Sequence, residues 1–279
     1  MTGRLVPGAQ ERNRIVEQYP RIFGVSVYQR LLVAGSLALA VGLLVFGLFR
    51  LEFDFRRLGS GLAQLAWFLE LMIPPSPGDQ LQLYLHALGE TLAIALLGTL
   101  LAAVLAFFAS FLAARNVVPL ALARFSMRRS FDTIRGIDTL VWALIWINVV
   151  GLGPFAGVLA IATSDFGALG KLFSEALETV DKRSTEGIRA AGGGRIAEIR
   201  FGLLPEVMPV IAGQILYFIE SNTRSATIIG IVGAGGIGLH LAEQIRTLEW
   251  DRVSFIVLLV LVAVAAIDFV SSRLRAAMT

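Results

Sequence analysis

Along this chain, long uncharged runs alternate with short charged ones, and the runs have the length of bilayer-crossing helices. Residues 31–49, LLVAGSLALAVGLLVFGLF, form the first, bracketed by Arg30 and Arg50. As a helix this run covers about 28 Å, close to the hydrocarbon thickness of a membrane. No A-x-A-like cleavage site follows it, and the segment before it is too long and polar for an n-region, so it reads as a retained helix. Five more runs follow, at about 88–114, 134–150, 154–174, 206–231 and 253–272. The third and fourth are joined by Gly151–Gly157, whose glycines suit a turn and whose Pro154 suits the first turn of the next helix. The stretch 62–79, LAQLAWFLELMIPPSPGD, is apolar over too short a length to span, and it predicts an amphipathic helix on the membrane surface.

Composition agrees with the pattern. Hydrophobic residues make up 56% of the 279 positions and charged residues 16%, against about 25% charged in soluble domains. Such a chain cannot cover its apolar surface in water. Cysteine is absent, which excludes a disulfide framework and Cys-based zinc sites. The arginines and lysines set the orientation. Residues 1–30, 115–135, 171–200 and 273–279 together hold 18 of the 24 Lys/Arg, so these segments and both termini are expected in the cytoplasm.

The longest cytoplasmic insertion, 175–209, alternates charged and apolar residues at helical spacing on both sides of Gly192-Gly193-Gly194. It predicts two short helices broken at the glycines, an elbow outside the bilayer, with Pro205 opening the fifth span. A plain solvated hairpin would look similar. The residues resemble, however, a motif of bacterial ABC importer permeases: Glu-Ala-Ala, three residues, Gly, nine residues, Ile, one residue, Leu-Pro. Glu186, Gly192 and Leu204-Pro205 match at that spacing, whereas Gly187-Ile188 replaces the alanine pair and Gly202 replaces the Ile. VVGLGPFAGVLAIA, GALGKLFSEALE and NTRSATIIGIVGAGGIG, in that order, are similar to the phosphonate-type permeases.

The resemblance implies an all-α integral membrane protein with six transmembrane helices and the type I ABC importer permease fold. It implies a 1–30 cytoplasmic segment, a 31–275 transmembrane permease domain with the elbow at 175–205, and a bacterial inner-membrane location. Implied partners are a second permease copy, most simply as a homodimer, two cytoplasmic ATPase subunits, an extracytoplasmic substrate-binding protein and the bilayer, with no nucleic acid. Residues implied in ATPase coupling are Glu186, Gly187, Arg189, Ala190, Gly192, Gly193, Leu204 and Pro205. The cargo implied is phosphonate or a related phosphorus oxyanion, phosphate and phosphite included. ATP and magnesium belong to the partner ATPase. This chain has no P-loop, since Asp165 stands where the first Gly would be and Leu172 where Ser/Thr would be. Its histidines, His86 and His240, belong to no H-E-x-x-H motif.

One motif points elsewhere. Gly233-Ala-Gly235-Gly236-Ile-Gly238 matches the G-x-G-x-x-G dinucleotide fingerprint. That fingerprint has meaning only between a strand and a helix, and here it follows a membrane helix, so a Rossmann site is excluded. The glycines can form an irregular turn whose N–H groups receive an anion, or they can let elements pack closely. Ionisable residues inside spans are functional candidates by default. Glu220 and Arg224 share a helix face and form either a local ion pair or, with Asn222, Thr223 and Ser225, part of an anion path. Asp165, near the membrane midplane, is expected to pair with an arginine or a helix terminus rather than with an anionic substrate. Glu90 and Asn148 are expected to bond between helices, and Asp268 to face a second copy or the cytoplasmic mouth. Rival readings are an importer of another small solute such as an amino acid, a secondary transporter with Asp165 or Glu220 as proton relay, and a membrane enzyme, for which no convergent nucleophile set is found.

Overall fold

The computed structural model describes residues 27–51 and 53–278, and among them every regular element is helical. The described residues fall into two compact units, divided between Ala66 and Trp67. In the first, α1 (Val27–Arg50) exposes Leu, Val and Phe side chains on every side. A helix apolar all round and open all round is one whose solvent is lipid. Helix α2 (Phe55–Leu71) starts earlier than the sequence suggested and stops before the Pro74-Pro75 pair.

In the second unit the central pair is α3 (Leu81–Ala113) and α6 (Pro154–Thr179). They pack through small residues. A Cβ on Gly98 would stand 2.8 Å from Ile161, and Ala87, Ala95, Ala102 and Ala106 line the same buried side of α3. Lipid tails are as apolar as leucine, so membrane helices associate by close van der Waals contact, which small residues permit. The outward side of α3 is a stripe of exposed leucine, valine and phenylalanine.

The third apolar run is not one straight span. Helix α4 (Ala121–Arg135) and α5 (Thr139–Val150) meet at an 88° bend. The break has a local cause: Gly136 ends α4, and the Asp138 carboxylate caps α5 by accepting the Leu140 N–H at 2.8 Å. Among the described residues five helices are long and apolar enough to cross a membrane, and the bent α4–α5 pair makes a sixth crossing if it is counted as one span.

Helix α6 runs to Thr179, so residues 175–179 of the elbow expected at 175–205 continue that helix. The elbow is α7 (Lys182–Ala190), a glycine turn, a single helical turn α8 (Arg195–Ala197) and a π-helical stretch, Glu198–Leu203. Helix α9 (Leu204–Ile231) follows with Pro205 in its first turn. A glycine turn leads to α10 (Ile237–Thr247), and α11 (Trp250–Met278) returns across the membrane. Leu169, Phe173, Leu177, Leu203 and Val207 form the core at the elbow end. Ile94, Ala143, Ile161 and Ile229 form one at the opposite end.

Candidate functional site

The elbow is built from its own sequence. Asp181 caps α7 by accepting the Arg183 N–H at 3.0 Å. At its other end Gly193 N–H bonds Ile188 C=O at 2.9 Å and Gly192 N–H bonds Arg189 C=O at 3.0 Å. Those two bonds, with Gly192 at φ +83°, make a Schellman cap, in which the left-handed residue after the helix is nearly always glycine. Arg189 then reaches across the turn and grips Glu198 through two bonds, of 2.8 and 3.0 Å. That two-pronged bond holds the Glu198 carboxyl below its usual range. Glu206, at the foot of α9, receives the Asp181 N–H and the Ser184 hydroxyl, at 3.2 and 2.8 Å. Arg195 donates to the Asn116 and Val117 carbonyls. The elbow is therefore braced from both sides. Glu186, Gly187 and Ala190 stand exposed on its outer face, as does Pro205 below it.

At the opposite end lies the fingerprint glycine turn. No strand precedes it. Gly233, at φ +104°, ends α9 with a second Schellman cap, Ala234 N–H to Ile229 C=O and Gly233 N–H to Gly230 C=O. Gly236 N–H donates to Glu90 at 3.0 Å and Ile237 N–H to Thr91 Oγ1 at 2.8 Å. Glu90 does bond between elements, and two N–H groups available to an anion nest are already taken. Gly153 N–H bonds Gly233 C=O, so the α5–α6 hairpin docks on this turn. The packing is tight enough to demand glycine: a Cβ on Gly235 would meet the Pro154 nitrogen at 2.8 Å, and one on Gly238 would overlap the Thr227 carbonyl.

Between the two ends, Asp165 is 4% exposed and its partner is not an arginine. Its carboxylate accepts from the Asn222 amide and, at 3.5 Å, from the Thr99 hydroxyl, while Asn222 also donates to Thr99 at 2.8 Å. One residue each from α3, α6 and α9 closes a buried polar knot. Its members are 66 and 57 positions from Asp165, which is why spacing gave no sign of it. Thr223 is buried as well.

Arg224 is different. Its side chain is 50% exposed and lies 3.6 Å from Glu220, which also receives Arg275 of α11 at 3.4 Å. It belongs to a stripe on the open side of α9: Gln214, Tyr217, Ser221 and Arg224, at helical spacing and partly or fully exposed. Ser225 sits half-buried beside it. The Gln214 Oε1 is buried with no hydrogen-bond partner among the described residues. Sequence inspection missed Gln214, Tyr217 and Ser221, because an uncharged polar residue within a span shows no side until its neighbours are placed. Asn148, by contrast, bonds the Leu144 carbonyl of its own helix, and Asp268 lies 3.9 Å from Arg275.

The family model of the binding-protein-dependent transport system inner membrane component matches residues 106–279. The chain belongs to that family. Among curated relatives, the putative phosphite transport system permease protein HtxC of Stutzerimonas stutzeri is 42% identical over 80% of this chain and 79% of its own length. The phosphite transport system permease protein PtxC of the same organism is 32% identical over 96% of this chain and 94% of its own. An inward-facing structure of the MetNI methionine ABC transporter superposes with a TM-score of 0.64 at 19% identity, covering 73% of this chain and 100% of that one. The permease is thus a multi-pass inner-membrane transport component with the ABC importer permease fold.

Within the permease the two departures from the motif prove to be one contact. Ile188 stands in place of a small residue and Gly202 in place of a large one. A Cβ on Gly202 would lie 3.1 Å from Ile188 Cδ1. The bulk missing from the π-helical stretch is supplied from α7, and the elbow keeps its filling.

Proposed function

We propose that this permease forms half of the transmembrane path of an ATP-driven importer for phosphonate, phosphite or phosphate, with two permease copies side by side. The observation that carries this reading is the stripe Gln214, Tyr217, Ser221 and Arg224 on the open face of α9. A half-exposed arginine on a membrane-spanning helix is costly against hydrocarbon and tolerable beside water or protein. Facing a wet path, its planar fork of donors suits the oxygens of a phosphorus oxyanion. The names of the phosphite relatives support the same cargo.

The chain carries no P-loop motif, and in this reading ATP and magnesium belong to partner ATPase subunits. The elbow is their docking point: Glu186, Gly187, Arg189, Ala190, Gly192 and Gly193 form its cap and outer face, and Ile196 and Phe201 beside it expose 82% and 64% of their surface. Leu204 and Pro205 anchor it to α9, so a push on the elbow moves the helix that bears the stripe and, through Asn222, the knot at Asp165. The glycine turn 233–236 then lies at the outer mouth, where a binding protein delivers cargo. The turn sets the closed hairpin geometry there, and contact with cargo falls to the arginine.

The test is ATP-dependent uptake of labelled phosphite and phosphonate by the permease reconstituted with its ATPase and binding protein. Arg224→Gln loses one charge-assisted pair and lowers uptake by about 10- to 150-fold, while the amount of ATPase retained on the permease stays unchanged. Uptake at the wild-type rate in that variant removes Arg224 from the path.

A further inference from the structure

A basic cleft of about 410 Å3 opens where α3 ends and α4 begins, lined by Arg115, Arg124, Arg128 and Arg129 with Ala121 and Phe125. Neither the elbow nor the α9 stripe uses it. Its charge is incompletely answered. Glu178 bonds Arg128 at 2.6 Å and lies 3.9 Å from Arg115. Asp132 pairs with Arg129 at 3.0 Å but is shared with Lys171 at 2.8 Å. Arg124 has no ion-pair partner among the described residues, and the Arg115 side chain is 71% exposed. Four guanidinium groups therefore meet two carboxylates, one of them also claimed by a lysine.

The surroundings are apolar in a specific way. The exposed stripe of α3, through Val104, Phe108 and Leu112, runs to the helix end beside Arg115, and Leu122 and Phe125 stand exposed at the start of α4. An exposed apolar surface thus leads to the arginine-lined cleft. It does so at the end of the molecule where the basic segments gather, the side expected to be cytoplasmic. We infer that this cleft binds the phosphate headgroup of an anionic phospholipid of the cytoplasmic leaflet, its acyl chains lying along α3. Basic pockets beside transmembrane helices on this side take such headgroups, and each arginine near the surface adds to the attraction. A free phosphorus oxyanion offers the same phosphate chemistry, but it has no use for the apolar stripe that leads to the cleft.

The experiment is native mass spectrometry of the purified permease released from nanodiscs of phosphatidylglycerol and phosphatidylcholine in equal amounts. The wild type retains phosphatidylglycerol over phosphatidylcholine. Arg115→Gln/Arg124→Gln, which leaves the two internally paired arginines in place, loses that preference by about 30-fold. Arg115→Lys/Arg124→Lys restores most of it and shows that the cleft still folds. Equal retention of both lipids by the wild type, or full preference in the Gln variant, overturns the assignment. So does inorganic phosphate at millimolar concentration displacing the lipid completely, which would make the site one for free oxyanion. In a parallel purification of the permease with its ATPase, loss of the ATPase from the Gln variant with lipid preference intact would make the cleft a protein contact and would equally overturn it.

Discussion

The Ile188–Gly202 contact makes a quantitative prediction about the elbow. In Gly202→Ile the new Cβ alone comes within 3.1 Å of Ile188 Cδ1 and 3.3 Å of the Ser184 carbonyl and Thr185 Cα. The rest of the side chain has nowhere to go, and such overpacking costs about 1–3 kcal/mol. Ile188→Ala removes three carbons of a half-buried side chain, a loss of about 1–2 kcal/mol. It also loosens the Schellman cap, since Ile188 packs against Gly193. If the two changes were independent, the double variant would be worse than either. If they occupy one space, the double variant regains most of the loss, with a coupling of about 2 kcal/mol. The assay is the rate of limited proteolysis within 182–203, which follows the open fraction of the elbow when reclosing is fast. Gly202→Ile then cuts about 5- to 150-fold faster than wild type, and the double variant returns to within about fivefold. Additive effects, within about 0.5 kcal/mol, would refute the compensation.

Gly192→Val forces a β-branched residue to φ +83° and should uncouple ATP hydrolysis from uptake while insertion persists; because a Cβ there meets nothing within 4 Å, Gly192→Asn, which tolerates the left-handed conformation, should retain coupling. Asp165→Leu strips the acceptor from Asn222 and should lower stability by about 1–3 kcal/mol, whereas Asp165→Asn keeps a side-chain oxygen; equal melting of the two variants in detergent would show that the knot contributes nothing. The Glu198 carboxyl is held low by Arg189, so the clamp is fully present above the ordinary carboxylate range and is lost as pH falls through the lowered value. Proteolysis of the elbow should accordingly be flat from pH 8 down to about 5 and rise only below, and Arg189→Gln should remove that rise. In intact cells a cysteine at Ala276 should resist an impermeant thiol reagent, since the basic residues place that end in the cytoplasm.

Much of this architecture was written in local pattern. The apolar runs, the glycine break of the elbow and Pro205 at the start of α9 each follow from composition within a turn or two. The bend between α4 and α5 was also signalled, by Gly136 and Asp138, but the apolar run from 139 to 150 overrode that punctuation in a reading by hydropathy. What the sequence withheld is whatever depends on distant partners. Asp165 carries no mark of Thr99 or Asn222. The glycines at 233–238 can serve an anion-receiving turn or close packing until Glu90, Thr91 and Pro154 are seen around them. The α9 stripe emerges only when α3, α6 and α11 cover the other sides of that helix, leaving Gln214, Tyr217, Ser221 and Arg224 partly or fully open.

That stripe is the centre of the account, and the cysteine-free chain allows it to be tested position by position. Single cysteines at Gln214, Tyr217, Ser221 and Arg224, and at the buried Asn222 and Ala226, would be exposed to a small charged thiol reagent in the assembled, reconstituted transporter. Rapid labelling is expected at the first four and none at the last two, with labelling at Ser221 slowed by millimolar phosphite when the binding protein is present. Stripe cysteines that react only with a membrane-soluble reagent would put that face of α9 in lipid, and the path would have to run elsewhere.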